Sequence, residues 1–190
     1  SLHIANQMKK LTEEAQKVLK VYVILCDIRS AHNVGSVFRT ADSAGVSEIF
    51  LCGYTPAPKD RFGRVDGGPQ KDIAKVALGA EKTVSWQSVE SAEKLIHDLK
   101  TAYVVAIDQA PEAVSIKKIA VKIKAKIAAE AKNSTEKKIV FVFGNETDGL
   151  PKNILKICDD VAYIPMVGKK ESLNVSVAVG VALYLALDIN

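Results

Sequence analysis

The sequence predicts an α/β protein, a mainly parallel sheet flanked by helices. Two observations carry this. Apolar runs rich in β-branched residues recur along the chain, and helix-like segments separate them. Runs such as VYVILCD (21–27) and KIVFVFG (138–144) are apolar at nearly every position rather than at alternate ones. That suits strands buried on both faces, as in a parallel sheet. Size agrees with one domain. The chain has 190 residues, 48% apolar and 25% charged, enough for one substantial core and too few for two comfortable domains.

The elements follow in order. Residues 6–20 read as an amphipathic N-terminal helical extension, with Met8, Leu11, Ala15, Val18 and Leu19 on one face. The strand 21–27 comes next. Residues 34–44 look helical, with Asn33 as N-cap and Gly45 as the C-terminal cap. SEIFLCG (47–53) is a second strand. Residues 53–72 read as a loop punctuated by Gly and Pro and carrying Lys59, Arg61, Arg64 and Lys71. A helix is expected over 88–100 and a strand over 102–108. A Lys-rich helical pattern covers 117–132, inside a Lys-rich insertion over 117–138. The strand 138–144 follows, then a helix starting at Pro151, a favoured first helical position. VAYIP (161–165) is a short strand, and residues 174–187 are a final apolar helix.

Composition excludes several classes. The three cysteines, Cys26, Cys52 and Cys158, are dispersed and odd in number, with no Cys-x-x-Cys pair. This argues against a disulfide framework or a zinc site and for a reducing cytoplasm. His3, His32 and His97 lack metal-ligand spacing, so no metal is expected. The first 20 residues carry six charges and no apolar run, unlike a signal peptide. The longest apolar stretch, 175–187, is shorter than the roughly 18–20 residues of a membrane span. No phosphate-binding P-loop or dinucleotide glycine fingerprint is present.

Three clusters could carry chemistry. In DIRSAHNVGSVFRTADSAG (27–45), Arg39 could offer a planar guanidinium fork to phosphate or carboxylate, or be a surface arginine. In FGNETDGLP (143–151), Gly144 allows a sharp turn beside a ligand, and Glu146 is a loop acid, functional or merely solvated. In IPMVGKKESLNVSVAVG (164–180), Ser172 and Asn174 precede a helix and could cap it or serve a site. All three clusters follow the carboxyl ends of expected strands, where α/β sheets bind ligands.

Each cluster alone is weak, but their order is specific. N-x-G-x-x-x-R-T-A, then F-G-N-E-x-x-G-L, then I-P-M and S-L-N resemble the three motifs of the SpoU (TrmH-like) branch of the SPOUT RNA methyltransferases, over about residues 21–187. ALGAEKTVSW (77–86) also looks like a stretch common in bacterial members. The resemblance implies a C-terminal deep trefoil knot, S-adenosyl-L-methionine bound bent within the knot loops, and a homodimer that completes the active site across its interface. It implies methyl transfer to a ribose 2′-OH of tRNA or rRNA. It assigns Arg39 to the target ribose and phosphate, donated by the partner subunit, with Asn33 supporting it. Glu146 lies near the cofactor and orients neighbours, and Ser172 and Asn174 form the third motif's polar pair. Gly144, Ile164, Met166, Ser172 and Leu173 surround the cofactor, with Ile107 as a further wall.

Two other readings stand beside this one: an RNA-binding protein of the same fold without catalysis, and a nucleotide-binding α/β enzyme of another class. Family members often carry an added RNA-binding domain before the knot. With about 20 residues ahead of the first strand, no such domain is expected here. The net charge of +4 is unevenly placed. Residues 117–138 hold eight Lys and two Glu, residues 1–20 hold four Lys and two Glu, and the remaining 148 residues sum to −4. Lys117, Lys118 and Lys122 are therefore candidates for RNA phosphates, the alternative being a solvated helix face.

Overall fold

The computed structural model describes residues 19–99, 101–130 and 137–189. The strands are β1 (Leu19–Cys26), β2 (Glu48–Cys52), β3 (Ser85–Val89), β4 (Tyr103–Ile107), β5 (Val114–Ser115), β6 (Lys137–Phe143) and β7 (Asp160–Tyr163). The helices are α1 (Ala31–Ala44), α2 (Gly68–Ala77), α3 (Ala80–Thr83), α4 (Ala92–Asp98), α5 (Ile116–Glu130), α6 (Lys152–Ile157) and α7 (Val175–Leu187). The seven strands form one sheet in the order β3-β2-β1-β6-β4-β7-β5. Every pairing is parallel.

The apolar runs of the sequence have a direct cause here. In β6, Ile139, Phe141 and Phe143 enter one core while Val140 and Val142 enter the other. In β1, Val21, Val23 and Leu25 face the first core, and Ile24 and Cys26 face the second. A period of two with both faces covered needs an apolar residue at every position. α1, α2, α5 and α7 supply the first cover, through Phe38, Ile73, Ile119 and Leu183 among others. α4 and α6 supply the second, through Ile96 and Ile154.

Several expectations shift. Leu19 and Lys20, placed in the N-terminal helix by the sequence, extend β1 and pair with Lys137 and Lys138 of β6. The rest of that helix lies outside the described residues. α1 starts three residues earlier than expected, because Ser30 and not Asn33 is its N-cap. Ser30 Oγ accepts from the Asn33 N–H at 3.2 Å. Gly45 ends α1 in the left-handed region, at φ 70°. α2 begins inside the stretch read as loop, since Pro69 in its first turn needs no N–H partner. Pro151 caps α6 rather than opening it. The segment 88–100 divides into the end of β3 and α4, with Ser91 capping the helix.

The lysines of α5 serve the fold in part. Lys122 Nζ pairs with Asp160 Oδ1 at 2.6 Å, and Lys124 with Asp188 at 2.7 Å. Lys126 lies over the Tyr103 ring, 4.6 Å from its centroid. Buried Lys137 donates to the carbonyls of Lys126 and Ile127, closing the carboxyl end of α5. Lys117 and Lys118 are exposed. No helix among the described residues is long and apolar enough to cross a membrane.

Candidate active site

A parallel sheet sends all its carboxyl ends to one edge. The loops after β4, β6 and β7 meet there around a cavity of about 200 Å³. Ile107, Phe143, Ile164, Leu173, Val175 and Ala178 give it an apolar wall. Asp108, Gln109, Glu146, Glu171 and Ser172 give it a polar one. Of the residues expected at the cofactor, Ile107, Gly144, Glu146, Ile164, Ser172 and Leu173 line the cavity. Met166 is half-buried and is not among the lining residues.

Glu146 organises the edge of this cavity. Its Oε2 accepts from the Arg29 N–H at 3.1 Å, and its Oε1 from the Ser30 N–H at 3.4 Å and from Asn33 Nδ2 at 2.9 Å. Asn33 Oδ1 in turn accepts from Asn174 Nδ2 at 3.1 Å. Asn174 Oδ1 caps α7, taking the Ser176 N–H at 2.9 Å and Oγ–H at 2.6 Å. One hydrogen-bond chain thus joins the start of α1, the loop after β6 and the start of α7. Asn33 reaches it because it occupies the third helical position, where side chains turn back toward the N-terminus.

Partial burial pushes the Glu146 carboxyl up. The Asn33 amide and the Arg29 and Ser30 N–H groups outweigh this and hold it below the usual carboxylate range. A depressed pKa stabilises the fold above the unfolded-state value, roughly 4.3. That contribution is lost as pH falls through the lower folded value. The melting temperature is therefore expected to drop below about pH 4 more steeply for the wild type than for Glu146→Gln. Parallel pH curves for the two proteins would contradict this.

Sequence reasoning missed two residues that hold the loops. Asn145 is buried and fully engaged. Its Nδ2 donates to the Asp27 carbonyl at 3.1 Å and to Tyr54 Oη at 2.6 Å, and its Oδ1 accepts from the Thr147 and Asp148 N–H groups. Asp108 Oδ2 accepts from the Leu150 N–H at 3.0 Å, tying the end of β4 to the loop after β6. Asn145 was visible inside the F-G-N-E run, and Asp108 as the acid ending an apolar strand.

Arg39 stands apart from this cavity. Six residues beyond Asn33, it lies about 9 Å further along α1 and roughly 120° around it. Its side chain is exposed and has no hydrogen-bond or ion-pair partner among the described residues. Lys122 is engaged with Asp160.

A family model described as the SpoU rRNA Methylase family matches residues 20–184. The chain belongs to this family. Among curated SpoU relatives, a 23S rRNA (guanosine-2′-O-)-methyltransferase of Bordetella pertussis is 33% identical over 85% of the chain and 57% of its own length. A Neisseria meningitidis protein of the same name is 28% identical over 96% of the chain and 62% of its own length. The chain thus spans less than two thirds of each. Among solved structures, an AdoMet-bound rRNA methyltransferase from Sinorhizobium meliloti superposes with a TM-score of 0.69 at 27% identity, over 88% of this chain and 55% of that one. A TrmH/SpoU tRNA modifying enzyme of A. aeolicus shares the fold, with a TM-score of 0.66 at 24% identity over 94% and 81% of the two chains.

Proposed function

We propose that the chain transfers a methyl group from S-adenosylmethionine to a ribose 2′-OH of tRNA or rRNA, acting as a homodimer. The observation that carries this is the Glu146–Asn33–Asn174 chain, which locks three loops at the rim of the cavity. The lining suits the cofactor. The Ile107, Phe143, Ile164 and Leu173 side would hold adenine and ribose, and Asp108, Glu146 and Glu171 are acids on the rim for a ligand with cationic sulfonium and ammonium groups. Bound there, the cofactor supplies an already activated methyl group. The chain's own residues then have to bind, align and exclude water, and alignment alone can supply much of the barrier reduction.

The placement of Arg39 supports a shared site. An exposed guanidinium outside the lining of its own cavity, with no partner among the described residues, is available to a partner's cavity. Helix α7 supports dimerisation, because it is apolar around its circumference yet leaves Val177, Tyr184 and Leu185 exposed. The interleaved strand order, with β6 between β1 and β4 and β7 between β4 and β5, supports a knotted path through the loops 144–151 and 164–174. Three free thiols support a reducing cytoplasmic setting.

An arginine stays protonated, so Arg39 positions phosphate and stabilises charge developing on O2′ rather than accepting the proton. Arg39→Ala is expected to lower kcat about 100-fold, with cofactor affinity within twofold of wild type. Arg39→Lys should recover little, since a point charge lacks the fork. Steady-state kinetics and equilibrium dialysis check this, and unchanged turnover in Arg39→Ala would remove Arg39 from the mechanism. The function itself is tested by tritium-methyl transfer onto total tRNA and rRNA with nucleoside mapping. Label on a base rather than a ribose contradicts the 2′-O assignment. Cofactor binding without transfer to either pool contradicts the enzyme reading.

A further inference from the structure

The loop 53–67 between β2 and α2 carries one aromatic at its tip, Phe62, among Lys59, Arg61 and Arg64. The tip is internally braced. Asp60 Oδ1 accepts from the N–H groups of Phe62 at 2.8 Å and Arg64 at 2.9 Å, and Asp60 Oδ2 from Arg64 Nε–H at 2.7 Å. The Asp60 N–H donates to the Arg64 carbonyl at 3.0 Å, and the Gly63 N–H to the Asp60 carbonyl at 2.9 Å. Gly63, at φ 78°, permits the reversal. The Arg61 and Arg64 guanidinium carbons lie 4.8 and 5.0 Å from the Phe62 ring centroid. Even so, Phe62 remains 66% exposed. Both cations stand over the ring, yet most of its surface still reaches solvent, and it belongs to neither core cluster.

The start of the loop is anchored beside the cavity and its end against α1. Tyr54 near its start hydrogen-bonds Asn145, the neighbour of Glu146. α2 at its end lies on α1, where a Cβ added at Gly35 would come within 2.6 Å of the Ile73 carbonyl oxygen. Asn33 is two residues from Gly35. The platform is thus tethered to the two elements that build the Glu146–Asn33 contact.

We infer that Phe62 is a stacking platform for an unpaired nucleotide of the RNA substrate, with Arg61 taking an adjoining phosphate and Arg64 holding the ring's frame. The inference rests on the RNA reading above. An exposed aromatic beside guanidinium groups recognises a base face in single-stranded nucleic acid and tolerates any base. A duplex keeps its base faces stacked, so the platform selects loops, bulges or ends.

The test compares wild type, Phe62→Ala, Phe62→Trp and Arg61→Gln. Each is titrated with a single-stranded RNA oligonucleotide and with an abasic backbone of the same length. Phe62→Ala should lose about tenfold in affinity for the base-bearing strand and nothing for the abasic one. Phe62→Trp should retain wild-type binding. Arg61→Gln should weaken both strands alike and reduce the salt slope by about 0.7. Cofactor affinity and sedimentation mass should not move in any variant. Equal binding by Phe62→Ala and wild type overturns the platform, as does an equal loss on both strands. A changed sedimentation mass would assign the ring to a protein contact and overturn it too. A wild type that methylates RNA while Phe62→Ala binds normally overturns the platform alone; a wild type that binds no RNA overturns both readings.

Discussion

Glu146→Ala is expected to lower kcat about 100-fold while changing cofactor affinity far less. The reason is geometric. The carboxylate takes the Arg29 and Ser30 N–H groups and the Asn33 amide at once, and through Asn33 it reaches Asn174. Removing it frees the β6 loop from α1, and a misplacement of about 1 Å at a reacting centre can cost that factor. The freed donors lie near solvent and water can replace the lost acceptor, so the stability loss should stay near 1 kcal/mol. That is a melting shift of about 2–4 °C for a chain of this size. Coupling is the sharper readout. Asn33→Ala and Glu146→Ala act on one contact, so the double variant should fall well short of the product of the single effects. Fully multiplicative losses, or a Glu146→Ala enzyme within twofold of wild type, would deny the carboxylate this organising role.

The parts of this site that were legible are those whose signal is short and local. FGNE after an apolar run, and SLN before an apolar helix, place Glu146 and Asn174 at strand and helix ends without tertiary knowledge. The bond between Asn33 and Glu146 spans 113 residues, and only the resemblance of the ordered motifs joined them. Serine and asparagine are both good N-caps, and Ser30 wins by starting the helix one turn earlier, which releases the Asn33 side chain for Glu146. Strand β3 was hidden because it is an edge strand. SWQSV has three exposed positions and Trp86 half-buried against the core, which gives no apolar run. β5, at two residues, is too short for any periodicity. The lysines of α5 could not be apportioned from sequence, since Asp160 and Asp188 meet Lys122 and Lys124 only after the sheet is assembled.

Gly144→Ala should have the largest effect on both stability and cofactor binding. The residue has no left-handed φ, so conformational freedom is not the cause. Space is. A Cβ on Gly144 would stand 2.3 Å from the Gly149 carbonyl carbon, 2.4 Å from its oxygen and 2.6 Å from the Leu150 nitrogen. These are backbone atoms, and the loop cannot swing away. The Gly149 N–H is bonded to the Asn145 carbonyl at 3.1 Å and the Leu150 N–H to Asp108 at 3.0 Å. Overpacking of this kind costs about 3 kcal/mol, or roughly 6–12 °C in melting temperature. If the chain relieves the clash by opening the loop, Glu146 and Thr147 leave the cavity wall, and cofactor affinity should fall more than tenfold. Gly168→Ala is the matched control, because a Cβ there meets nothing within 4 Å. It lies in the loop after β7 and should melt and bind as wild type does. Calorimetry and equilibrium dialysis on the pair separate the loop's packing from a general intolerance of alanine. A Gly144→Ala protein indistinguishable from Gly168→Ala would mean that the loop after β6 rests elsewhere than on Gly144.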